Sequence, residues 1–265
     1  MIISPPPPFY KKILRVIFFK TIVFLKPMLV FFTEIETSFL KILIANAHKR
    51  LFYFTWGVTK NPEFFDHHID LYYQWLKNRT SWWLERGVFG SLAIRRGGKL
   101  LELASGDGFN TRNFYSSIAQ SVIACDFDKS AIKTAKQKNS APNIEYLLKD
   151  IRYDMPEGAF DNIVWDAAIE HFTENEITLL MGNIKNRLAE NIGVLSGYTM
   201  VERPEGKAIE QHEYEFKNME DLKRFLTPYF KNVIVFETIY PERHNLYFWA
   251  SDGILPFSKD WAHWT

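Results

Sequence analysis

The segment Leu100–Thr111, LLELASGDGFNT, constrains the fold more than any other stretch of the chain. An apolar run carrying the acidic Glu102 meets Gly106 and Gly108, after which the pattern turns helical. A strand that feeds a glycine turn and then a helix aims backbone N–H groups and the positive helix end at a bound ligand. Glycine allows that backbone to come close. A dinucleotide fingerprint, G-x-G-x-x-G, would place its third glycine at Thr111, so the chain gives little reason to expect a pyrophosphate here.

Three further segments repeat the theme of an apolar strand ending on an acid. Ser121–Asp126 reads as a second buried strand, and Asp126 is suited to accept hydrogen bonds from two ribose hydroxyls. Asn143–Ile151 gives a third, whose Asp150 can accept from an adenine amino group, and Phe160–Asp166 gives a fourth. Strands alternating with helical stretches, each ending in polar residues, predict a ligand along the carboxyl edge of a parallel sheet.

This order of elements resembles the class I S-adenosylmethionine-dependent methyltransferases of the small-molecule type. The resemblance covers roughly residues 62–251 and is carried by Glu102 to Thr111, Asp126, Asp150 with Ile151, and Phe160 to Phe172. It implies an α/β fold: a Rossmann-like, seven-stranded, mostly parallel sheet with an antiparallel terminal hairpin and helices on both faces. It implies S-adenosylmethionine as cofactor. The loop of Ala104, Ser105, Gly106, Asp107 and Gly108 is then expected against the methionine part, Asp126 on the ribose, and Asp150 with Ile151 beside the adenine. Glu102, Phe127 and Asp166 complete the expected cofactor set. Ala104-Ser105 departs from the Gly-Cys or Gly-Thr of many members, leaving two glycines in a turn where three are common.

Beyond cofactor binding, Asp166–Phe172 is the best candidate for chemistry. The Glu170-His171 pair resembles one found in many small-molecule methyltransferases, where His171 would take a proton from an acceptor hydroxyl or orient it. The other reading of His171 is a loop residue that caps the helix begun by Thr173-Glu174-Asn175-Glu176. Some quinone O-methyltransferases bind a divalent metal with an additional acid three residues before such a pair. Here that position is Ala167, and no metal is expected. The polar loop Glu202–Glu215 follows a fifth strand, Ile192–Met200, and supplies His212 as a second candidate for acceptor binding or proton removal; a solvated linker is the other reading. Tyr72, Tyr73 and Trp75, in an aromatic-rich segment before the first strand, are candidates to line the acceptor pocket, or else pack on the sheet edge. Asn232–Phe236 and Asn245–Ala250 read as the terminal hairpin.

The formal net charge is +1, and no basic stripe with interleaved aromatics marks the catalytic part, which argues against a nucleic-acid partner. The one cysteine, Cys125, lies inside a predicted strand and reads as a structural thiol; no intrachain disulfide is possible, as fits a reducing compartment.

Residues 1–60 differ in character. Lys11, Lys12, Arg15, Lys20 and Lys26 punctuate an apolar stretch to Phe32, with Pro27 inside it. Those interruptions make a poor spanning helix, and no small-residue cleavage pattern follows. Peripheral membrane contact through residues 11–32 fits better, with lysines at head groups and Phe18, Phe19, Phe24 and Leu25 in the interface. A helix packed on the chain itself or on a second subunit is the competing reading. A separate helix is expected over Phe39–Phe54.

The expected organisation is thus a helical extension over 1–60, a methyltransferase domain over 61–251 with a helical cap at 61–96, and a tail at 252–265. The expected location is cytoplasmic, peripheral on the inner face of a membrane. The expected activity is methyl transfer to an oxygen or nitrogen of a small-molecule, sugar or lipid-linked acceptor. Its main rival is a non-catalytic S-adenosylmethionine-binding subunit of a membrane-associated biosynthetic complex. A nicotinamide or flavin oxidoreductase would share the glycine turn but predicts the missing glycine.

Overall fold

The computed structural model describes residues 9–54, 75, 79–203, 206–207, 210–241 and 243–258. The expectations placed on Tyr72 and Tyr73 lie outside these residues. The chain divides into two compact units, Met1–Thr59 and Lys60–Thr265.

In the first unit, α1 is a continuous helix of 44 residues, Phe9–Phe52. A break was expected between Phe32 and a separate helix from Phe39; the helix instead runs on through both stretches, with Pro27 inside it. Proline forfeits one intrahelical bond, and in a helix this long the flanking turns carry the backbone across the gap. Phe24, Met28, Phe31, Ile35, Phe39 and Ile42 recur at helical spacing, and all are exposed. Among the described residues, no helix is long and apolar enough to cross a membrane.

The second unit is built on a seven-stranded sheet in the order β3-β2-β1-β4-β5-β7-β6. Its strands are β1 Lys99–Leu103, β2 Ser121–Asp126, β3 Ile144–Leu148, β4 Asn162–Asp166, β5 Val194–Met200, β6 Asn232–Tyr240 and β7 Arg243–Ser251. The pairs from β3 through β5 are parallel, and β7 runs antiparallel to both β5 and β6. Continuous apolar runs explain the parallel centre: every residue of β4 and four of five in β1 are buried, as expected where helices cover both faces. One buried cluster gathers Trp165, Met181, Phe216 and Phe248; another, including Tyr115, Ile132 and Val164, packs against the sheet as well.

The helices of this unit are α2 Trp82–Leu92, α3 Lys129–Lys138, α4 Glu174–Arg187 and α5 Met219–Leu226. Strand order reverses between β1 and its neighbours β2 and β4, and a crevice opens at the carboxyl ends of strands at such a switch point. The turn after β1 does not lead into a long α-helix. It leads into a π-helical turn, Thr111–Tyr115, closed by the Ser116 N–H donating to the Thr111 carbonyl. Single π turns of this kind cluster at functional sites. The terminal hairpin is longer than expected, since polar Glu237, Thr238, Arg243 and His244 also enter the ladder.

Candidate active site

The turn after β1 is shaped by backbone conformation. Ala104, Gly106 and Gly108 all have positive φ, at 53°, 57° and 74°. For alanine the left-handed region costs about 1–2 kcal/mol. A side chain at Gly108 would also collide with the ring of Tyr146. Across the sheet, Ala167 directly after β4 has φ 52°, so alanines at the carboxyl ends of the adjacent strands β1 and β4 are both held in this region. Strain of this sort persists where the surrounding structure enforces it, and it gathers at ligand sites.

Asp126 ends β2 and ties the turn to it. Its Oδ2 accepts from the Gly106 N–H at 2.9 Å and its Oδ1 from the Asp128 N–H at 2.8 Å. Burial pushes the Asp126 carboxyl above the ordinary range, against those backbone donors. Each carboxylate oxygen has a second lone pair, so both can still accept from a vicinal diol. Phe127 follows at the strand tip, 70 % exposed. The Ser105 hydroxyl, on the same turn, is buried and has no hydrogen-bond partner among the described residues. An orphaned buried hydroxyl beside a close-approach turn and a carboxylate suited to a diol fits an adenosyl ligand with a polar amino-acid tail.

The remaining expected residues divide. Glu102 is buried and accepts from the Thr111 hydroxyl, so it secures the turn from beneath. Asp107 caps its own turn, accepting from the Phe109 N–H at 3.0 Å. Asp150 lies just beyond β3, but Arg152 grips both its carboxylate oxygens, at 3.0 and 2.7 Å, and holds it below the usual carboxylate range. An adenine amino group would have to share that acid. Ile151 is buried.

Asp166 is likewise engaged. Its Oδ2 accepts from Arg86 Nε at 3.0 Å, Arg86 Nη2 at 2.7 Å and Asn110 Nδ2 at 3.0 Å, a knot joining α2, the turn after β1 and the end of β4. The Arg86 guanidinium lies 4.6 Å from the Trp83 ring centre and 5.1 Å from that of Tyr198. Trp82 and Trp83 stack at 4.3 Å, with Arg243 at 3.8 Å over Trp82. Arg86, Asn110 and Tyr198 are therefore parts of the site that the sequence did not single out. Trp75 is 53 % exposed.

His171 and His212 come together. Glu170 and His171 sit on a 3-10 turn, Ile169–His171, and the rings of His171 and His212 are 4.9 Å apart at 80°. The backbone N–H groups of Glu213 and Tyr214 donate to the Glu170 carbonyl, which fastens the loop to the turn. The cap of α4 is Thr173, which forms a capping box with Glu176 and leaves His171 free of that duty. The expectation of no metal rested on Ala167. Glu170, His171 and His212 each place one potential ligand atom within 4.8 Å of the others.

Residues 100–191 match the sequence signature of a family described as a methyltransferase domain. No curated protein matches by sequence. Among solved structures, the fold is similar to DhpI in complex with S-adenosylhomocysteine (TM-score 0.50, 21 % identity, covering 59 % of this chain and 78 % of that one). It is similar also to the N-methyltransferase NodS from Bradyrhizobium japonicum WM9 (0.52, 16 %, 63 % and 93 %) and to TehB from Haemophilus influenzae (0.50, 17 %, 68 % and 66 %). Over residues 100–191 the chain therefore carries a methyltransferase-domain signature, set in the Rossmann-like fold that these structures share.

Proposed function

We propose that this protein methylates an oxygen or nitrogen of a small-molecule, sugar or lipid-linked acceptor. The observation that carries the reading is the Asp126 carboxylate, tied to the left-handed turn of Ala104, Gly106 and Gly108 at the carboxyl ends of adjacent strands. In this reading Asp126 holds the ribose hydroxyls, Phe127 covers the adenine, and the buried Ser105 hydroxyl meets the amino-acid end of the cofactor. The bound sulfonium supplies an already activated methyl group. The chain's own task is then to align the acceptor, and positioning alone is worth effective molarities on the order of 10⁵ M or more. Trp82 and Trp83, with Trp75 as a further candidate, offer aromatic surface for that alignment. His171 is exposed, and its Nδ1 meets the Gln211 carbonyl at 3.2 Å. The ring therefore presents Nε2 as a proton acceptor, worth perhaps 10² to 10⁴-fold. His212 is the second candidate base.

A small-molecule acceptor is supported by the near-neutral charge of the whole chain and the absence of a basic stripe in the sequence of its catalytic part. A lipid-linked one is supported by the exposed apolar stripe of α1, which suits a membrane surface. The deciding experiment is calorimetric titration with S-adenosylmethionine, S-adenosylhomocysteine and NADH, on the native chain and on Asp126→Ala. Binding of the two adenosyl ligands alone, weakened at least about tenfold in the variant by loss of roughly 1.4 kcal/mol or more, is the expected result. Binding of NADH alone overturns the reading.

A further inference from the structure

We propose that Glu170, His171 and His212 form a binding site for a divalent first-row transition cation. The argument begins with proton positions. His171 Nδ1 faces the Gln211 carbonyl at 3.2 Å, and His212 Nδ1 faces the Glu215 carboxylate. A carbonyl or carboxylate oxygen can only accept, so each Nδ1 carries the hydrogen. In the neutral ring each Nε2 is then a bare lone pair.

That pattern is the one metal-binding histidines show: the distal nitrogen donates to a carbonyl or carboxylate, which fixes the tautomer and the ring plane. The carboxylate has its own support, since Glu170 Oε2 accepts from the Thr199 hydroxyl at 2.9 Å. All three prospective ligands thus have an outer partner that orients them. Glu170 and His212 are only 4 % and 1 % exposed, whereas His171 is exposed. The site therefore has two fixed ligands and an open side.

Two histidines and one carboxylate with an open position suit zinc or another borderline divalent ion, and not calcium or magnesium, which favour oxygen ligands. Donors on one tetrahedral cation at about 2.1 Å lie roughly 3.4 Å apart. One ligand atom from each of the three already lies within 4.8 Å of the others, so binding a cation needs the side chains to draw together by no more than about 1.4 Å. A filled site takes the lone pair that His171 would use as a base. An acceptor hydroxyl coordinated at the open position would lose its proton to water before its oxygen attacks the methyl carbon and the methyl–sulfur bond breaks. Only this last use rests on the proposed methyl transfer; the cation site does not.

The test is titration of the tag-free full chain with Co²⁺, read by visible d–d absorption, followed by displacement with Zn²⁺. Expected are one equivalent bound and full displacement. His171→Ala, at an exposed position that does not threaten folding, should weaken Co²⁺ by more than about 100-fold, exceeding the loss of 10 to 100-fold typical of an outer partner and expected for Glu215→Gln. Unfolding curves and S-adenosylhomocysteine binding of each variant confirm an intact fold. No tight Co²⁺ binding by the native chain, or binding that His171→Ala leaves unchanged, overturns the proposal. Cobalt binding without adenosyl-ligand binding would leave the site standing and remove the methyl-transfer reading instead.

Discussion

Glu102 is a buried carboxyl, two residues before the turn that it secures. Burial pushes its pKa up to about 8, with Asp166 adding to the rise and the Thr111 hydroxyl opposing it. Asp107 is pushed up to about 6, again by burial. A carboxyl whose folded pKa lies above its unfolded value keeps its proton in the folded state and loses it on unfolding. Between those two values the unfolded chain binds fewer protons, so stability falls as pH rises, by up to about 1.4 kcal/mol per pH unit for one group. Asp107 and the raised Asp126 contribute in the same sense, so the Glu102 part of the slope is isolated by removing its carboxyl. Glu102→Gln keeps an acceptor for Thr111 and has nothing to titrate. Its urea midpoint should therefore fall less steeply from pH 6.5 to 8 than that of the native chain; parallel profiles would show that Glu102 is already ionised in the fold. The residues whose chemistry is local were legible in sequence: the glycine turn, Asp126 at a strand end, and Thr173 with Glu176 as a cap. Asp166 was legible as a site acid but not as a bound one, because its partners Arg86 and Asn110 lie 80 and 56 positions away. The pairing of His171 with His212 was hidden for the same reason, since it depends on a loop whose Gln211 lies 40 positions on from His171.

At the scale of elements, the central strands β1 and β4 were readable because each is a short apolar run with nearly every residue buried, and the capped α4 because its first turn carries its own signal. The extent of the hairpin was not, since the pairing of Thr238, Arg243 and His244 is decided by the partner strand and not by their own propensity. Nor was the π turn after β1 or the continuity of α1 through Pro27. Two glycines show how an element's surroundings overrule its composition. Gly197 lies in β5 opposite Trp165 of β4 and Phe248 of β7, and a Cβ there would meet the Trp165 carbonyl and the Phe248 ring at less than contact distance. Gly182 lies inside α4, where a Cβ would make ordinary contact with Tyr229 at 3.8 Å. The same substitution should therefore act in opposite directions. Gly182→Ala should stabilise by about 0.5–1 kcal/mol through helix propensity and a less flexible unfolded chain. Gly197→Ala should destabilise by about 1–3 kcal/mol or more, because a backbone carbonyl cannot step aside. Denaturant midpoints of the two variants check both signs, and stabilisation by Gly197→Ala would show that the β4–β5 contact is looser than described.

At the scale of the molecule, the two units pose different physical problems. The body from Lys60 onward buries a sheet between two apolar layers and contains the whole candidate site. The helix α1 leaves Phe24, Phe31, Phe32, Phe39 and Ile42 between 58 and 83 % exposed, alongside the exposed Lys20, Lys26, Lys41, Lys49 and Arg50. An apolar surface of that extent marks a place of interaction with a membrane or a second protein. Interleaved basic residues favour an anionic lipid surface, where each cation adds roughly 1 kcal/mol and each buried apolar side chain contributes through its area. Deletion of residues 1–59 should then abolish sedimentation with vesicles containing anionic phospholipid while leaving calorimetric binding of S-adenosylhomocysteine within about twofold of the full chain, since no expected cofactor residue lies in the deleted part. Raising salt should weaken the full chain's vesicle binding, as screening acts on the basic residues and not on the apolar ones. If the full chain ignores vesicles and light scattering instead shows a concentration-dependent dimer that the truncation loses, the apolar stripe is the contact between two copies. If the truncated body no longer folds, α1 supplies part of its core, and the boundary near Thr59 marks a packing seam within one folding unit.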